Sequence, residues 1–257
     1  MTVVPKKALG QHFLVDENIL GVIGRLAKLH ADDVVLEVGP GLGILTRYLA
    51  ERVQLVYAIE IDRALAEPLS TMAADQENVR LVFGDALRLD LGAFEPRPRK
   101  LVANLPYNIA TPLVLETLEH VPSIERWCVM VQREVADRFF AVPRTKAYGA
   151  VSVLVQLSAS KTGFHAVPPT VFRPRPRVDS ALVAFTRTAG PRLAEVRPVV
   201  EAAFAHRRKM LANSVALTGL APRARVEEAL AAIGRPAQSR AEELAPSDFV
   251  ALAEALT

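Results

Sequence analysis

Short apolar runs of strand length alternate with amphipathic stretches through the first half of the chain. The apolar runs lie at 33–39, 55–62, 79–86, 100–107 and 127–134. They are nearly continuous in apolar residues, as parallel strands covered by helices on both faces must be. The stretches ILTRYLAERV, ALAEPLSTMAA and TPLVLETLEHV between them have helical spacing. This alternation predicts an α/β protein with a doubly wound parallel sheet.

The middle of the chain is less regular. In the run 148–160 the β-branched residues favour a strand and the length permits a helix, so periodicity leaves both open. The four prolines of VPPTVFRPRPRVDS (167–180) predict extended, stiff backbone. The following run ALVAFTR predicts one last strand.

Beyond Pro191 the pattern is helical, and the tripeptide PSD before the last helix indicates an N-cap at Ser247 or Asp248. We therefore expect two domains. Residues 1–189 form a ligand-binding α/β domain, and residues 190–257 form a small helical domain.

The net charge of +3 is unevenly distributed. Between Lys161 and Asn213 there are ten Lys or Arg residues and three acids, so this segment carries +7 and the remainder −4. Arg and Lys make most contacts to phosphates, and the segment therefore predicts a polyanionic partner. A solvated basic surface is the alternative.

Two other features restrict the class of protein. No run approaches the roughly 18 apolar residues of a membrane span, and the start MTVVPKKALGQHF lacks the pattern of a signal peptide, so we expect a cytoplasmic protein without a membrane segment. The single cysteine, Cys128, lies in the apolar run WCVMV and predicts a buried strand residue. It allows no internal disulfide and no thiolate-rich metal site, and we expect no metal.

The segment EVGPGLG after the first strand-like run is a glycine-rich turn that lets the backbone approach a ligand closely. Gly39 and Gly41 follow the spacing G-x-G-x-G and not the G-x-G-x-x-G of pyrophosphate binding. Glu60 ends the second run, where a carboxylate can accept hydrogen bonds from ribose hydroxyls, and Asp85 ends the third, near an adenine amine. This set fits adenosine and favours S-adenosylmethionine; a nicotinamide cofactor and solvated acids remain alternatives.

The fourth run ends in NLPY, at the mouth of the same expected crevice. The lone pair of adenine N6 is delocalised into the ring, so an enzyme that alkylates it can help by accepting hydrogen bonds from the amino group. Asn104 Oδ1 and the Leu105 carbonyl are suited to this role, on a backbone that Pro106 constrains. Tyr107 can stack on a base taken out of its own stack. A purely structural proline turn is the alternative.

With these residues in view, the chain resembles the ribosomal RNA adenine N6,N6-dimethyltransferase family, most closely its bacterial small-subunit (16S) type. The resemblance runs from near the start to the end of the chain. Its segments are KKALGQHFL (6–14), LEVGPGLGILT (36–46), NLPYNIATPL (104–113), VPPTVFRPRPRVDSALV (167–183) and AFAHRRKMLANSV (203–215).

The resemblance implies a Rossmann-like S-adenosylmethionine-dependent methyltransferase domain with a small C-terminal helical domain. It implies that the enzyme dimethylates N6 of two adjacent adenosines of 16S rRNA, within the small ribosomal subunit or its assembly precursor, as a monomer. The implied cofactor contacts are His12, Leu14, Gly39, Gly41, Glu60, Asp85 and Asn104. The implied base pocket is the NLPY segment with Phe172 as a second aromatic face, and the implied rRNA phosphate contacts are Arg207, Arg208 and Lys209, on a helix.

The chain departs from the family pattern at His12, where the family usually has Asn. Histidine keeps a donor and an acceptor but changes charge near physiological pH, so we expect cofactor binding to depend on pH. The resemblance also favours a helix for 148–157.

Two related functions stay open. One is the class that dimethylates an adenine of large-subunit rRNA, although NLPY and RRKMLANSV favour the small subunit. The other is a non-catalytic RNA-binding or assembly factor, against which the intact Asn104, Pro106 and Tyr107 argue.

Overall fold

The structure, a computed structural model, describes residues 11–257. Nine strands and ten α-helices lie within this part of the chain. The strands are β1 (Phe13–Leu14), β2 (Val34–Val38), β3 (Leu55–Glu60), β4 (Val79–Phe83), β5 (Lys100–Asn104), β6 (Arg126–Gln132), β7 (Ala159–Val167), β8 (Phe172–Arg173) and β9 (Ser180–Arg187). The helices are α1 (Glu17–Ala27), α2 (Ile44–Ala50), α3 (Ala66–Ala73), α4 (Ala110–His120), α5 (Arg133–Phe139), α6 (Ala150–Ser158), α7 (Leu193–Phe204), α8 (Leu211–Leu217), α9 (Arg223–Ala232) and α10 (Pro246–Leu256).

The described residues form two compact units. The first comprises 11–136 and 161–187, and the second comprises 137–160 and 188–257. The chain passes from the first unit to the second for the last time between Arg187 and Thr188, close to the predicted boundary at Gly190. Sequence reasoning did not predict that the earlier segment 137–160 also belongs to the second unit, because no change in composition marks it. The functional division between the two domains stays a prediction.

The main sheet has seven strands in the order β4-β3-β2-β5-β6-β9-β7. Strands β2 to β6 pair in parallel, and β9 runs antiparallel to β6. The order reverses between β2 and β5, because β3 and β4 extend the sheet on one side and β6 on the other. Ligands of such sheets bind in the crevice outside the carboxyl ends of the strands at this reversal.

Helices cover both faces of this sheet, as predicted. Cys128 of β6 packs in an apolar cluster with residues of α1 and α2, and it is a buried strand residue, as expected. Burial raises the pKa of its thiol to about 12. The next residue toward the N-terminus, Trp127, faces the opposite side, where its indole N–H donates to Thr117 Oγ1 of α4 at 2.9 Å. The α/β prediction is therefore confirmed.

A two-stranded ribbon joins the N-terminal segment to the proline-rich stretch. Phe13 pairs with Arg173 and Leu14 pairs with Phe172 in antiparallel register. The predicted extended backbone is thus largely present, apart from one 3₁₀ turn at Pro169–Val171. Positions 6–10 of the N-terminal motif lie outside the described residues.

The ambiguous run 148–160 divides into two elements. Helix α6 occupies Ala150–Ser158, which confirms the helix that the resemblance favoured, and β7 follows without a break. Sequence reasoning missed β7. Its residues are mostly exposed, because it is one of the two edge strands of the sheet, and an edge strand does not need an apolar pattern.

The predicted N-cap of the last helix is wrong. Helix α10 begins at Pro246, and its N-cap is Ala245. Proline is favoured at the first helical position because its missing N–H would have no partner there. Asp248 instead lies in the first turn and accepts a hydrogen bond from the Ala245 N–H at 2.8 Å.

The second unit has an apolar core of its own among its helices. The ring of Phe204 on α7 contacts those of Tyr148 and Phe249, with centroid distances of 5.9 and 5.6 Å. The buried Tyr148 hydroxyl donates to the Leu244 carbonyl at 2.8 Å. Nowhere in residues 11–257 is there a helix with the length and apolarity that a bilayer crossing requires.

Candidate active site

A cleft in the first unit lies at the carboxyl ends of β2 to β5, where the strand order reverses. Its empty volume is about 1030 Å³, including its open mouth. The cleft brings together ten of the predicted site residues from five separate parts of the sequence. These are His12, Leu14, Gly39, Gly41, Glu60, Asp85, Asn104, Leu105, Pro106 and Tyr107.

The glycine-rich turn forms the floor of the cleft between β2 and α2. Gly39 and Gly41 have φ angles of +76° and +61°, which residues with a Cβ rarely adopt. A Cβ at Gly39 would lie 3.1 Å from Pro106 Cδ, and a Cβ at Gly41 would lie 2.9 Å from the Phe13 ring. Glycine is therefore needed here both for the backbone conformation and for the close approach of neighbouring segments.

Glu60 is buried at the end of β3 and holds the turn. Its carboxylate accepts hydrogen bonds from the Asp62 N–H at 2.9 Å and the Gly41 N–H at 3.3 Å. Burial raises the pKa of Glu60, and the backbone donors oppose that shift. Its contact with a ribose stays a prediction.

Asp85 follows β4 and forms a turn of its own. Its Oδ1 accepts from the Leu87 N–H at 3.0 Å, and its other oxygen lies 3.5 Å from Arg88 Nε. The side chain is about one third exposed, so a ligand in the cleft can still reach it. Its role toward adenine stays a prediction.

Asn104 connects the end of β5 to the N-terminal segment. Its Nδ2 donates to the His12 carbonyl at 3.2 Å, which orients the amide and leaves Oδ1 as the end that can face a ligand. Leu105 is buried, and its N–H donates to the Met130 carbonyl at 3.0 Å. The neighbouring strand β6 therefore holds the Leu105 backbone in place.

Tyr107 is held at the mouth of the cleft by two contacts. Its hydroxyl lies 2.7 Å from Ser180 Oγ, and its ring centroid lies 5.6 Å from that of His12. Burial raises the pKa of the Tyr107 hydroxyl, against the effect of the Ser180 hydrogen bond. Sequence reasoning did not identify Ser180, because a serine that begins a strand carries no signal of a distant tyrosine.

Phe172 does not line the cleft. Its side chain is fully buried in the apolar cluster with α1 and α2. Pairing of β8 with β1 turns this ring inward while the next residue, Arg173, is exposed. In this arrangement Phe172 supports the ribbon and presents no face to a base.

Glu37 is a cleft residue that sequence reasoning missed. Its side chain is almost fully buried in β2, and its Oε2 has no hydrogen-bond partner among the described residues. Burial raises the pKa of Glu37 to about 8; the neighbouring Thr46 hydroxyl opposes this shift, and the charge of Glu60 adds to it. The acidic residue inside the apolar run VVLEV was the signal.

The burial of Glu37 predicts that the free energy of unfolding falls as pH rises. The folded protein prefers Glu37 protonated and the unfolded chain loses that proton near its ordinary pKa of 4.5, so folding loses free energy between about pH 4.5 and 8. We expect Glu37→Gln to be more stable than the wild type at pH 8 by about 2 kcal/mol or more, with a smaller difference at pH 5. Urea unfolding at the two pH values measures this; equal differences at both would contradict it.

The segment RRK lies in the second unit, in the exposed turn between α7 and α8 and not on a helix as the resemblance implied. Arg207 Nη2 donates to the carbonyls of Lys146 and Tyr148 at 3.3 and 3.1 Å and lies 3.8 Å from Glu242 Oε2. Arg207 therefore helps to hold its own unit together. The exposed Arg208 and Lys209 beside it are available to a partner.

Among the residues that the structure describes, no three His, Cys, Asp or Glu side chains are grouped as a metal ion would require.

Comparison with known proteins agrees with the fold and the cleft. The profile of the ribosomal RNA adenine dimethylase family matches residues 4–257. The chain is 52% identical over 213 residues to a ribosomal RNA small subunit methyltransferase A of Rubrobacter xylanophilus, covering 82% of this chain and 80% of the relative. It is 47% identical over 225 residues to the protein of that name in Kineococcus radiotolerans, covering 84% and 74%.

Solved structures show the same likeness. A dimethyladenosine transferase from Plasmodium falciparum superposes with a TM-score of 0.80 at 25% identity, covering 94% of this chain and 96% of that one. The 23S rRNA methyltransferase ErmE superposes with a TM-score of 0.68 at 31% identity, covering 95% and 99%.

The fold and the cleft together define a Rossmann-like methyltransferase whose glycine turn and NLPY segment share one pocket. Within that class, the chain belongs to the ribosomal RNA adenine dimethylase family.

Proposed function

We propose that this protein uses S-adenosylmethionine to dimethylate N6 of two adjacent adenosines of 16S rRNA in the small ribosomal subunit or its assembly precursor. The observation that carries the proposal is the meeting of the glycine turn, Glu60 and Asn104 in one cleft. The names of the bacterial relatives support the small subunit as substrate. We further propose that it acts as a monomer in the cytoplasm.

The described residues fit the methyl donor. Gly39 leaves open a position that a Cβ would fill, and Glu37 presents a buried carboxyl oxygen without a partner to the same cleft. Glu60 and Asp85 lie at successive strand ends, where a ribose and an adenine would follow one another. When bound, S-adenosylmethionine supplies a methyl group on a positively charged sulfur.

The remaining chemistry falls to this chain's own residues at the target base. Tyr107 stacks on the flipped adenine, and Ser180 and His12 hold the tyrosine ring. Asn104 Oδ1 and the Leu105 carbonyl accept hydrogen bonds from the N6 amino group, which turns its lone pair toward the methyl group. Positioning therefore supplies most of the rate, and the proton of the methylated amine leaves after transfer. The singly methylated amine keeps one hydrogen and a usable lone pair, so a second round can follow.

The test is transfer of labelled methyl to three acceptors, with the product nucleosides identified by mass spectrometry. The acceptors are small subunits that lack adenine dimethylation, protein-free large-subunit rRNA and tRNA. We expect dimethyladenosine on the small subunits alone. Label on the large-subunit rRNA would instead place the chain with enzymes such as ErmE, and cofactor binding without any transfer would favour a non-catalytic assembly factor.

A further inference from the structure

The loop that leads from β8 to β9, taken with the end of β8, carries three exposed arginines at alternate positions, Arg173, Arg175 and Arg177. The residues at its two ends, Phe172 and Ser180, are fully buried and anchor it in the first unit. The arginines were part of the basic segment in the sequence, but the segment alone did not show where they lie. Nothing in the cleft chemistry described above uses them.

This loop lies against two residues that line the cleft, His12 and Tyr107. The Nδ1–H of His12 donates to the Pro174 carbonyl in the loop at 2.7 Å, and the His12 ring in turn contacts Tyr107. At the far end of the loop, Ser180 is bonded to the Tyr107 hydroxyl at 2.7 Å. One end of the loop therefore contacts directly the tyrosine that would stack on the target base, and the other end contacts it through His12.

The charges of this loop are not neutralised within the described part of the chain. No carboxylate there forms an ion pair with Arg173, Arg175 or Arg177, and the one side-chain hydrogen bond of these three within the described residues joins Arg173 Nη1 to the Phe172 carbonyl at 3.2 Å. Asp179 is the only acid between positions 172 and 180. Unpaired guanidinium groups on a loop that contacts the cleft suit an anionic ligand, and their planar donor fork matches phosphate oxygens.

The prolines of FRPRPR make the loop suitable for such a ligand. A proline fixes its own φ and restricts the residue before it, so the backbone between the arginines loses little conformational entropy when a ligand binds. A base that enters the cleft remains attached to its own strand. The phosphates on either side of it must therefore pass the mouth of the cleft.

We propose that Arg173, Arg175 and Arg177 bind the phosphates of the RNA strand immediately flanking the target adenosine. This proposal rests on the proposed function for the identity of the strand. It assigns the loop the task of holding the strand in register while the base is turned into the cleft. The contacts are to phosphate and carry no sequence information of their own.

The experiment compares RNA binding by the wild type and by the double variant Arg175→Gln/Arg177→Gln. The probe is an RNA of the acceptor region of small-subunit rRNA, titrated at several salt concentrations. We expect the double variant to bind at least fivefold more weakly near 0.1 M salt. Two lost phosphate contacts should also reduce the slope of log K against log salt by about 1.4 to 1.8. Arg175→Lys/Arg177→Lys should keep most of the slope, because it keeps the charge.

The matched control is Arg52→Gln/Arg97→Gln, which removes the same charge from the same unit. Both arginines are exposed and neighbour an acid, Glu51 and Glu95 respectively. If the control loses as much RNA affinity and as much salt dependence of log K as the loop variant, the proposal is overturned, because the loss would then come from the change in net charge. An unchanged slope in the loop variant would also overturn it.

Methyl transfer by the same proteins separates this proposal from the proposed function. If the wild type methylates small subunits and the loop variant binds RNA as tightly as the wild type, the proposed loop contacts are refuted and the proposed function stands. If the wild type methylates none of the acceptors and the loop variant binds RNA more weakly, the proposed function is refuted and the proposed loop contacts stand. We expect all variants to bind S-adenosylmethionine with equal affinity. This control measurement tests whether the cleft is intact.

Discussion

Asn104→Ala is expected to lower the rate of methyl transfer by about 100- to 1000-fold, the usual cost of removing one preorganised group at the reacting centre. The amide is oriented by the hydrogen bond from Nδ2 to the His12 carbonyl, which leaves Oδ1 to accept from adenine N6. Alanine removes this acceptor, and the lone pair of N6 stays delocalised in the ring. The loss should appear in kcat, measured with unmethylated small subunits at saturating S-adenosylmethionine.

The control is Asn108→Ala, four residues further along the same cleft. Asn108 is exposed, so its removal should change kcat by less than about threefold and stability within about 0.5 kcal/mol. Asn104→Ala should lose only about 1 kcal/mol of stability with its hydrogen bond to His12. Near-normal activity of the Asn104 variant would rule out the mechanism proposed here.

Gly39→Ala is expected to weaken binding of S-adenosylmethionine by at least about 100-fold, close to 3 kcal/mol. The backbone at this position has φ of +76°, and the new methyl would lie 3.1 Å from Pro106 Cδ. Pro106 belongs to the NLPY segment, so the substitution displaces the glycine turn and the base pocket together. Calorimetric titration with the cofactor measures the loss.

Gly219→Ala separates the backbone strain caused by Gly39→Ala from the displacement of the cleft segments. Gly219 has a nearly equal φ of +78° in the second unit, but a Cβ there meets nothing within 4 Å. Both variants should lose about 1 to 2 kcal/mol of stability to backbone strain. Only Gly39→Ala should lose cofactor affinity, and equal affinities for the two variants would contradict the role given to the turn.

Much of the fold could be predicted because parallel strands are buried on both faces. Strands β2, β3 and β6 are near-continuous apolar runs, and their pattern needs no knowledge of neighbouring elements. Strand β7 escaped prediction because an edge strand is exposed and polar. The start of α10 was misplaced because PSD offers several capping residues, and the choice among them depends on which backbone N–H groups lack partners.

The candidate site was predictable where local chemistry is enough to define a role. A glycine turn, an acid at a strand end and an Asn before Leu-Pro-Tyr have few structural purposes, and all of them reached the cleft. Phe172 was different. Its aromatic ring suited a base in the sequence, but the register of β8 against β1 turned it into the core.

The sequence by itself therefore determined the α/β fold, the positions of the strands that carry the cleft residues and the family to which the chain belongs. These depend on periodicity and on residue types that act within a few positions of one another. Only the tertiary structure decided which distant residues meet: Ser180 with Tyr107, His12 with Asn104 and with Pro174, and the buried Glu37 with Glu60. The physical reason is that strand order and register bring such residues together, and neither is written in any short stretch of the chain.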